Sequence, residues 1–290
     1  MNPANFCIQR FSLLLAGPAS DGPLAESTIC EKYAKRAANF VQQCKVRVSS
    51  QGIRVIKLDR VEISAEPWNW EFAITQRDQI TRYFAHKKKE QPALWNGQVL
   101  LMHRCTLSNR VLRGGCFTTE FANFLAWRDW NYPDSTVRDF FAAAGFCSAD
   151  GAYLVGEMGP HTSQPGLCYF PCGTPEPDDL DKNGVLDLAV NLQRELREET
   201  GIELRELEAE PGWTLVHDRG IFALIKRLTA LQNAAQLRSR ILRHLASERL
   251  PELNDIRLLN GPADIDHRIA PFVVAYLEDA WRDASARMVN

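Results

Sequence analysis

Between residues 45 and 61, apolar positions alternate with polar ones (Val46, Val48, Ile53, Val55, Leu58) on either side of Ser49-Ser50-Gln51-Gly52, which predicts a β-hairpin. A small amphipathic face predicts a helix over 25–44, and the short apolar run 11–17 reads as a first strand. Helical periodicity returns over 75–90 and ends in Lys87-Lys88-Lys89, solvated cations that suit the negative end of a helix dipole. Two strands follow at 99–106 and 111–121 around Ser108-Asn109, then an aromatic stretch (Phe124, Trp127, Trp130, Tyr132) and a short helix from Ser135. Aromatic density of this kind predicts core more than a base-stacking platform.

At residue 141 the pattern changes. Ala142-Ala143-Ala144-Gly145-Phe146-Cys147 is small and apolar, and Asp150-Gly151 is a two-residue turn between strands at 146–147 and 152–156. Further strands are expected at 167–170, 213–216 and 220–229, with helices over 231–248 and 271–287. The order predicts an α/β protein: an amino-terminal α+β domain, 1–140, and a mixed sheet sandwiched between helices, 141–290. A chain of 290 residues is long enough for two such cores.

Composition narrows the function. Lys plus Arg is 34 against 36 Asp plus Glu, a net charge of −2, which argues against nucleic acid as partner and suits a small molecule. No apolar run reaches the eighteen or so residues of a membrane span. The first twenty residues carry one Arg and a short apolar centre interrupted by Ser12, so they read as a strand of the fold rather than a cleaved signal. Eight cysteines, at 7, 30, 44, 105, 116, 147, 168 and 172, form no CxxC pair and read as free thiols in a reducing cytoplasm. A zinc site at Cys168 and Cys172 would have only His161 nearby in sequence.

The chemistry concentrates after Gly166, in GLCYFPCGTPEPDDLDKNGVLDLAVNLQRELREETGIEL. Val185, Ala189, Leu192 and Leu196, spaced 4, 3 and 4, predict the apolar stripe of a helix that stops at Gly201. On that helix Glu195 is three residues from Glu198 and four from Glu199, so the three carboxylates can share one neighbourhood. Like charges so placed repel, and a hard divalent cation, which takes oxygen ligands and bridges to substrate phosphates, relieves them. A bare run of Arg and Glu would be a solvated face. The Gly-Pro-rich loop ahead of the helix sets this one apart.

With Arg194, Glu195, Leu196, Glu198, Glu199, Gly201 and Ile202 in register, the segment resembles the helical half of the Nudix hydrolase signature. Tyr169-Phe170-Pro171-Cys172-Gly173 resembles the strand and loop ahead of that helix, and the likeness spans about residues 141–280. The resemblance departs from the family in two places. Cys172 stands where the family has the first of two glycines. Asp179 lies fifteen positions before Arg194, where the family spaces an acid by eight, so the loop carries seven extra residues. Either Asp179 is the shifted acid or Leu186 occupies its place without a carboxylate. The extra segment, 180–185, is polar and turn-forming and reads as a surface loop that can be shortened at little cost to stability.

The resemblance implies an α/β/α sandwich and a hydrolase that cleaves the pyrophosphate of a nucleoside diphosphate linked to another moiety, using Mg²⁺ or Mn²⁺. It implies Glu195, Glu198 and Glu199 as metal ligands, joined by the main-chain carbonyl of Cys172, and Arg194 as the residue that orients Glu195. The general base stays open among the helix glutamates, Glu252 and Asp255, the last two read as loop acids in 250–256. His217 and His267 have no supporting spacing. The order of Trp95-Asn96-Gly97, Trp127-Arg128-Asp129 and 171–177 resembles UDP-glucose-cleaving Nudix proteins in layout, which points to a nucleotide sugar. A nucleotide-binding or regulatory module of this fold with weak or lost catalysis is the second reading; the intact carboxylates argue for the enzyme.

Overall fold

The computed structural model describes residues 46–288. The expected hairpin is present: β1 (Arg47–Val48) turns through Gly52, at φ 79°, into β2 (Arg54–Leu58), with Arg47 opposite Val55. The chain then leaves this sheet, and β3 (Arg60–Ala65) opens a second one. Helices α1 (Glu71–Thr75) and α2 (Arg77–Glu90) lead to the long hairpin of β4 (Gln98–Ser108) and β5 (Val111–Glu120). Its turn residues Asn109 and Arg110 both have positive φ, 49° and 59°, a geometry whose twist matches paired strands. Helix α3 (Phe121–Asp129) follows and buries Phe124 and Trp127. No helix forms at Ser135. The Asp134 carboxylate instead accepts the Thr136 N–H at 2.8 Å and its hydroxyl at 2.6 Å, a local turn that competes with helix.

The second half supplies β6 (Asp139–Cys147), β7 (Tyr153–Met158), β8 (Cys168–Tyr169), β9 (Cys172–Gly173) and α4 (Leu188–Thr200). These are followed by β10 (Leu207–Ala209), β11 (Trp213–Asp218), β12 (Ile221–Ala230), α5 (Ala234–Ser247), β13 (Leu253–Leu259) and α6 (Pro271–Met288). Among the described residues they build a ten-stranded mixed sheet, ordered β1-β2-β11-β12-β6-β7-β13, with β8, β9 and β10 added on β7, β6 and β12. The smaller sheet is β3-β5-β4.

Two cores hold the layers together. On one face of the large sheet, Phe140, Ala142, Ala144 and Phe146 of β6 pack with Leu192 and Leu196 of α4, Leu237 and Ile241 of α5, and Leu100 and Met102 of the small sheet. On the other face Phe141, Ala143 and Cys147 pack with Val273, Tyr276 and Leu277 of α6. A third cluster (Trp70, Leu101, Phe117, Phe124, Trp127) closes the outer side of the small sheet. The aromatic stretch is therefore largely core, although Trp68 and Trp95 stay exposed.

Several sequence expectations need correction. The strand placed at 146–147 starts at Asp139; all nine of its residues are buried, so neither face leaves an alternating signal. Residues 253–256, read as part of a loop over 250–256, belong to edge strand β13 (Leu253–Leu259), which pairs with β7. The segment 180–185 is not detached: Gly184 O accepts the Ala65 N–H at 2.7 Å, and Ile63 O accepts the Leu186 N–H at 2.9 Å, so it lies along β3. A division at residue 140 cuts through one sheet, because β2 pairs with β11 along five residues. The strand expected at 11–17, the helix at 25–44, and Cys7, Cys30 and Cys44 lie outside the described residues. Cys105, Cys116, Cys147, Cys168 and Cys172 are free thiols, and no described helix is long and apolar enough to cross a membrane.

Candidate active site

Helix α4 begins one turn later than its expected stripe. Asp187 caps it, accepting the N–H groups of Ala189 (2.9 Å) and Val190 (3.3 Å), and Gly201 ends it in the left-handed conformation at φ 65°. Val185 therefore precedes the helix and is exposed, and Ala189 is exposed too. The buried stripe is Leu188, Leu192 and Leu196, four residues apart. Asn191, Glu195 and Glu199, also four apart, are buried beside it.

That second stripe is costly unless each polar group finds a partner. Glu199 is 4% exposed; its Oε1 accepts the Cys172 N–H at 3.3 Å, and its Oε2 has no partner. Burial, aided by the charges of Glu195 and Glu252, pushes its carboxyl well above the usual range. Glu195 takes Arg194 Nη1 at 2.7 Å, yet burial outweighs that cation and lifts its carboxyl to about 7. Gly173 makes room for it: a Cβ there would sit 2.2 Å from the Glu195 carboxyl carbon, so any larger residue would displace that carboxylate. Glu198 is exposed and turned toward Arg194 and Arg197, at 3.7 and 3.9 Å.

Asp179 is the acid that meets Arg194. Its Oδ2 accepts Arg194 Nη2 (3.1 Å), Asn191 Nδ2 (3.0 Å) and the Glu176 N–H (2.9 Å), and the residue is buried. Leu186 is a core residue. The extra segment folds back through a Leu180–Leu186 bridge, and the Asp187 N–H reaches Asp179 O at 3.1 Å. The insertion is thus looped out between two points that remain adjacent. Asn191 and the steric role of Gly173 were not read from the sequence; a polar residue four positions before Glu195 on an apolar face was the available signal.

The remaining candidates separate. Glu252 raises the carboxyls of Glu199 and Glu195 by its charge, which places it in their field, and its own carboxyl is raised by burial against the opposing pull of His161. Asp255 is tied to Arg238 at 2.7 Å and to the Ile256 N–H. His217 is pushed down to about 4 by burial and by Arg54 and Arg138, and His267 is exposed.

No three His, Cys, Asp or Glu side chains among the described residues close on a common point, since Glu198 is drawn to the arginines. The donor set nonetheless fits a hard divalent cation: two buried carboxylates, one with a free oxygen, and a third acid one turn away at the surface.

No family model matches the sequence, and no curated protein matches it. Among solved structures the chain is similar to a Nudix hydrolase from M. smegmatis, RenU, at 14% identity over 52% of this chain and 87% of that one, with a TM-score of 0.34. It is similar to the MutT protein from Methanosarcina mazei Go1 at 14% identity over 51% and 95%, TM-score 0.37. It is also similar to a C. elegans Ap4A hydrolase at 12% identity over 51% of this chain and 98% of that one, TM-score 0.32.

Proposed function

We propose that this chain is a divalent-metal-dependent hydrolase of Nudix type that cleaves the pyrophosphate of a nucleoside diphosphate linked to another moiety. The observation that carries the reading is Glu199: a buried carboxylate with a free oxygen, one turn from buried Glu195, on a helix whose Arg194 is held by Asp179. We assign Glu195, Glu198, Glu199 and the Cys172 carbonyl to Mg²⁺ or Mn²⁺. When bound, the cation neutralises the pyrophosphate and makes water nucleophilic. Arg194 fixes Glu195 by its 2.7 Å ion pair, and Gly173 lets the loop approach that carboxylate. Of the two acids beyond the helix we assign the base to Glu252, because Asp255 is already engaged by Arg238. For the linked moiety we keep the nucleotide sugar suggested by the amino-terminal layout. The free thiols support the cytoplasm as its compartment.

The test is product release from a mixed panel of nucleoside diphosphate compounds. Turnover is expected with Mg²⁺ or Mn²⁺ and none in EDTA. Glu199→Gln, which removes a ligand charge but keeps its shape, should lower the rate at least about a hundredfold with an unchanged circular dichroism spectrum. Full turnover in chelator would falsify the metal assignment, and tight binding without turnover would favour a regulatory module.

A further inference from the structure

Among the described residues, another buried carboxylate has an oxygen without a hydrogen-bond partner, and the hydrolytic assignment does not use it. Asp139 opens β6, is 6% exposed, and its Oδ1 has no hydrogen-bond partner; among the described residues no ion pair reaches it. Burial pushes its carboxyl up to about 7, with only Arg128 pulling it back. Period-two alternation puts Asp139 on the same face as Phe141 and Ala143, the face covered by α6. An isolated acid in such a wall is destabilising, and an apolar residue would close the strand better. Aromatic rings stand on the same sheet face and beside Gly220, the backbone partner of Asp139. Phe141 meets Phe272, the second residue of α6, edge-on at 5.3 Å, and Phe272 meets Tyr169 at 6.3 Å. Tyr132 lies against Gly220, whose carbonyl accepts the Asp139 N–H. Tyr132, Tyr169 and Phe272 are only partly buried.

Strand β9 links β6 to the carboxylates of α4, because Glu199 Oε1 accepts the Cys172 N–H at 3.3 Å. Cys172 pairs with Ala143, four residues along β6 from Asp139, or about 13 Å. The Cys172 thiol is raised by burial and by the charges of Glu199, Glu195 and Asp139. The distance suits the reach of a nucleoside or a sugar from its phosphates.

We propose that Asp139 is a specificity residue: its free carboxylate oxygen accepts a hydrogen bond from an N–H or O–H of the moiety joined to the diphosphate, a base or a sugar, beside Tyr132, Phe141 and Phe272. The inference rests on the hydrolase reading and names where its substrate is recognised.

The test compares wild type with Asp139→Asn and Asp139→Leu, using ADP, GDP, CDP, UDP and UDP-glucose in calorimetry and the corresponding sugar nucleotides in turnover assays. The ratio between the best and worst ligand should shrink at least tenfold in Asp139→Leu, carried by KM, and less in Asp139→Asn, which keeps one acceptor oxygen. Collapse among the four plain nucleotides identifies a base as donor; collapse confined to UDP-glucose against UDP identifies a sugar. In the ligand-free protein Asp139→Leu should melt no lower than wild type, because it removes an unpaired charge. An unchanged ligand ranking, or melting points that fall in both variants, would overturn the proposal. If wild type turns over the panel while the ranking survives substitution, the inference alone fails. If wild type neither binds nor cleaves any compound, the hydrolase reading fails and takes the inference with it.

Discussion

Asp179 ties the loop ahead of α4 to the helix itself. It receives three hydrogen bonds from groups with few other options: the Glu176 N–H, the Asn191 amide and one arm of Arg194. Asp179→Ala leaves the amide and the guanidinium arm unpaired in buried surroundings. The expected loss is about 2–4 kcal/mol in urea unfolding, where removing one member of a buried pair exposes the desolvation cost of the other. The rate should fall at least about tenfold as well, since Arg194 loses the anchor that aims it at Glu195, and such positioning contributes directly to the barrier. Asp179→Asn should recover part of the stability, because it keeps one acceptor oxygen. A wild-type midpoint and rate in the alanine variant would show that Arg194 needs no such anchor.

At the level of elements, the insertion before α4 is a strap along β3 rather than a free flap. Its hydrogen bonds to Ala65 and Ile63, together with the turn in which Asp181 Oδ1 accepts the Asn183 and Val185 N–H groups, fix both ends of the acid-bearing segment. Deleting residues 181–185 should therefore destabilise the protein by about 1–3 kcal/mol and reduce turnover, whereas Lys182→Gly at its exposed tip should do neither. Equal melting of the deletion and wild type would return the segment to a neutral loop. The same contrast explains what could be read in the chain beforehand. Helix α4 was legible because its carboxylates and leucines repeat with the helical period, although its start was misplaced by one turn. Strand β6 was not, because DFFAAAGFC is buried on both faces and carries no period. Strand β13 hid behind Leu253-Asn254-Asp255, whose turn-like chemistry is overridden by pairing with β7. The partnership of Asp179 with Arg194 depends on how fifteen residues fold back, and no spacing in the sequence sets Asp139 apart from a solvated acid.

For the whole molecule, the decisive contact is the pairing of β2 with β11. A fragment beginning at residue 141 retains every residue of the Nudix-like signature, yet it loses that neighbour of β11 and the Leu100, Met102 and Leu112 side of the core. It should be recovered only as aggregate, and mixing it with a separately made 1–140 fragment should restore some soluble protein. A monomeric, cooperatively melting 141–290 fragment would show that the two sheets are energetically separate. The pairing also has a consequence for biosynthesis. Trp213, the partner of Leu58, follows it by 155 residues, which at roughly 5–20 residues per second means about 8–30 seconds on the ribosome. Throughout that interval the β1–β2 hairpin has been made while the strand that covers its edge has not yet emerged. The nascent chain therefore offers an unpaired β-edge early in its life, and its yield in a cell should depend on chaperones that hold such edges until the second half arrives.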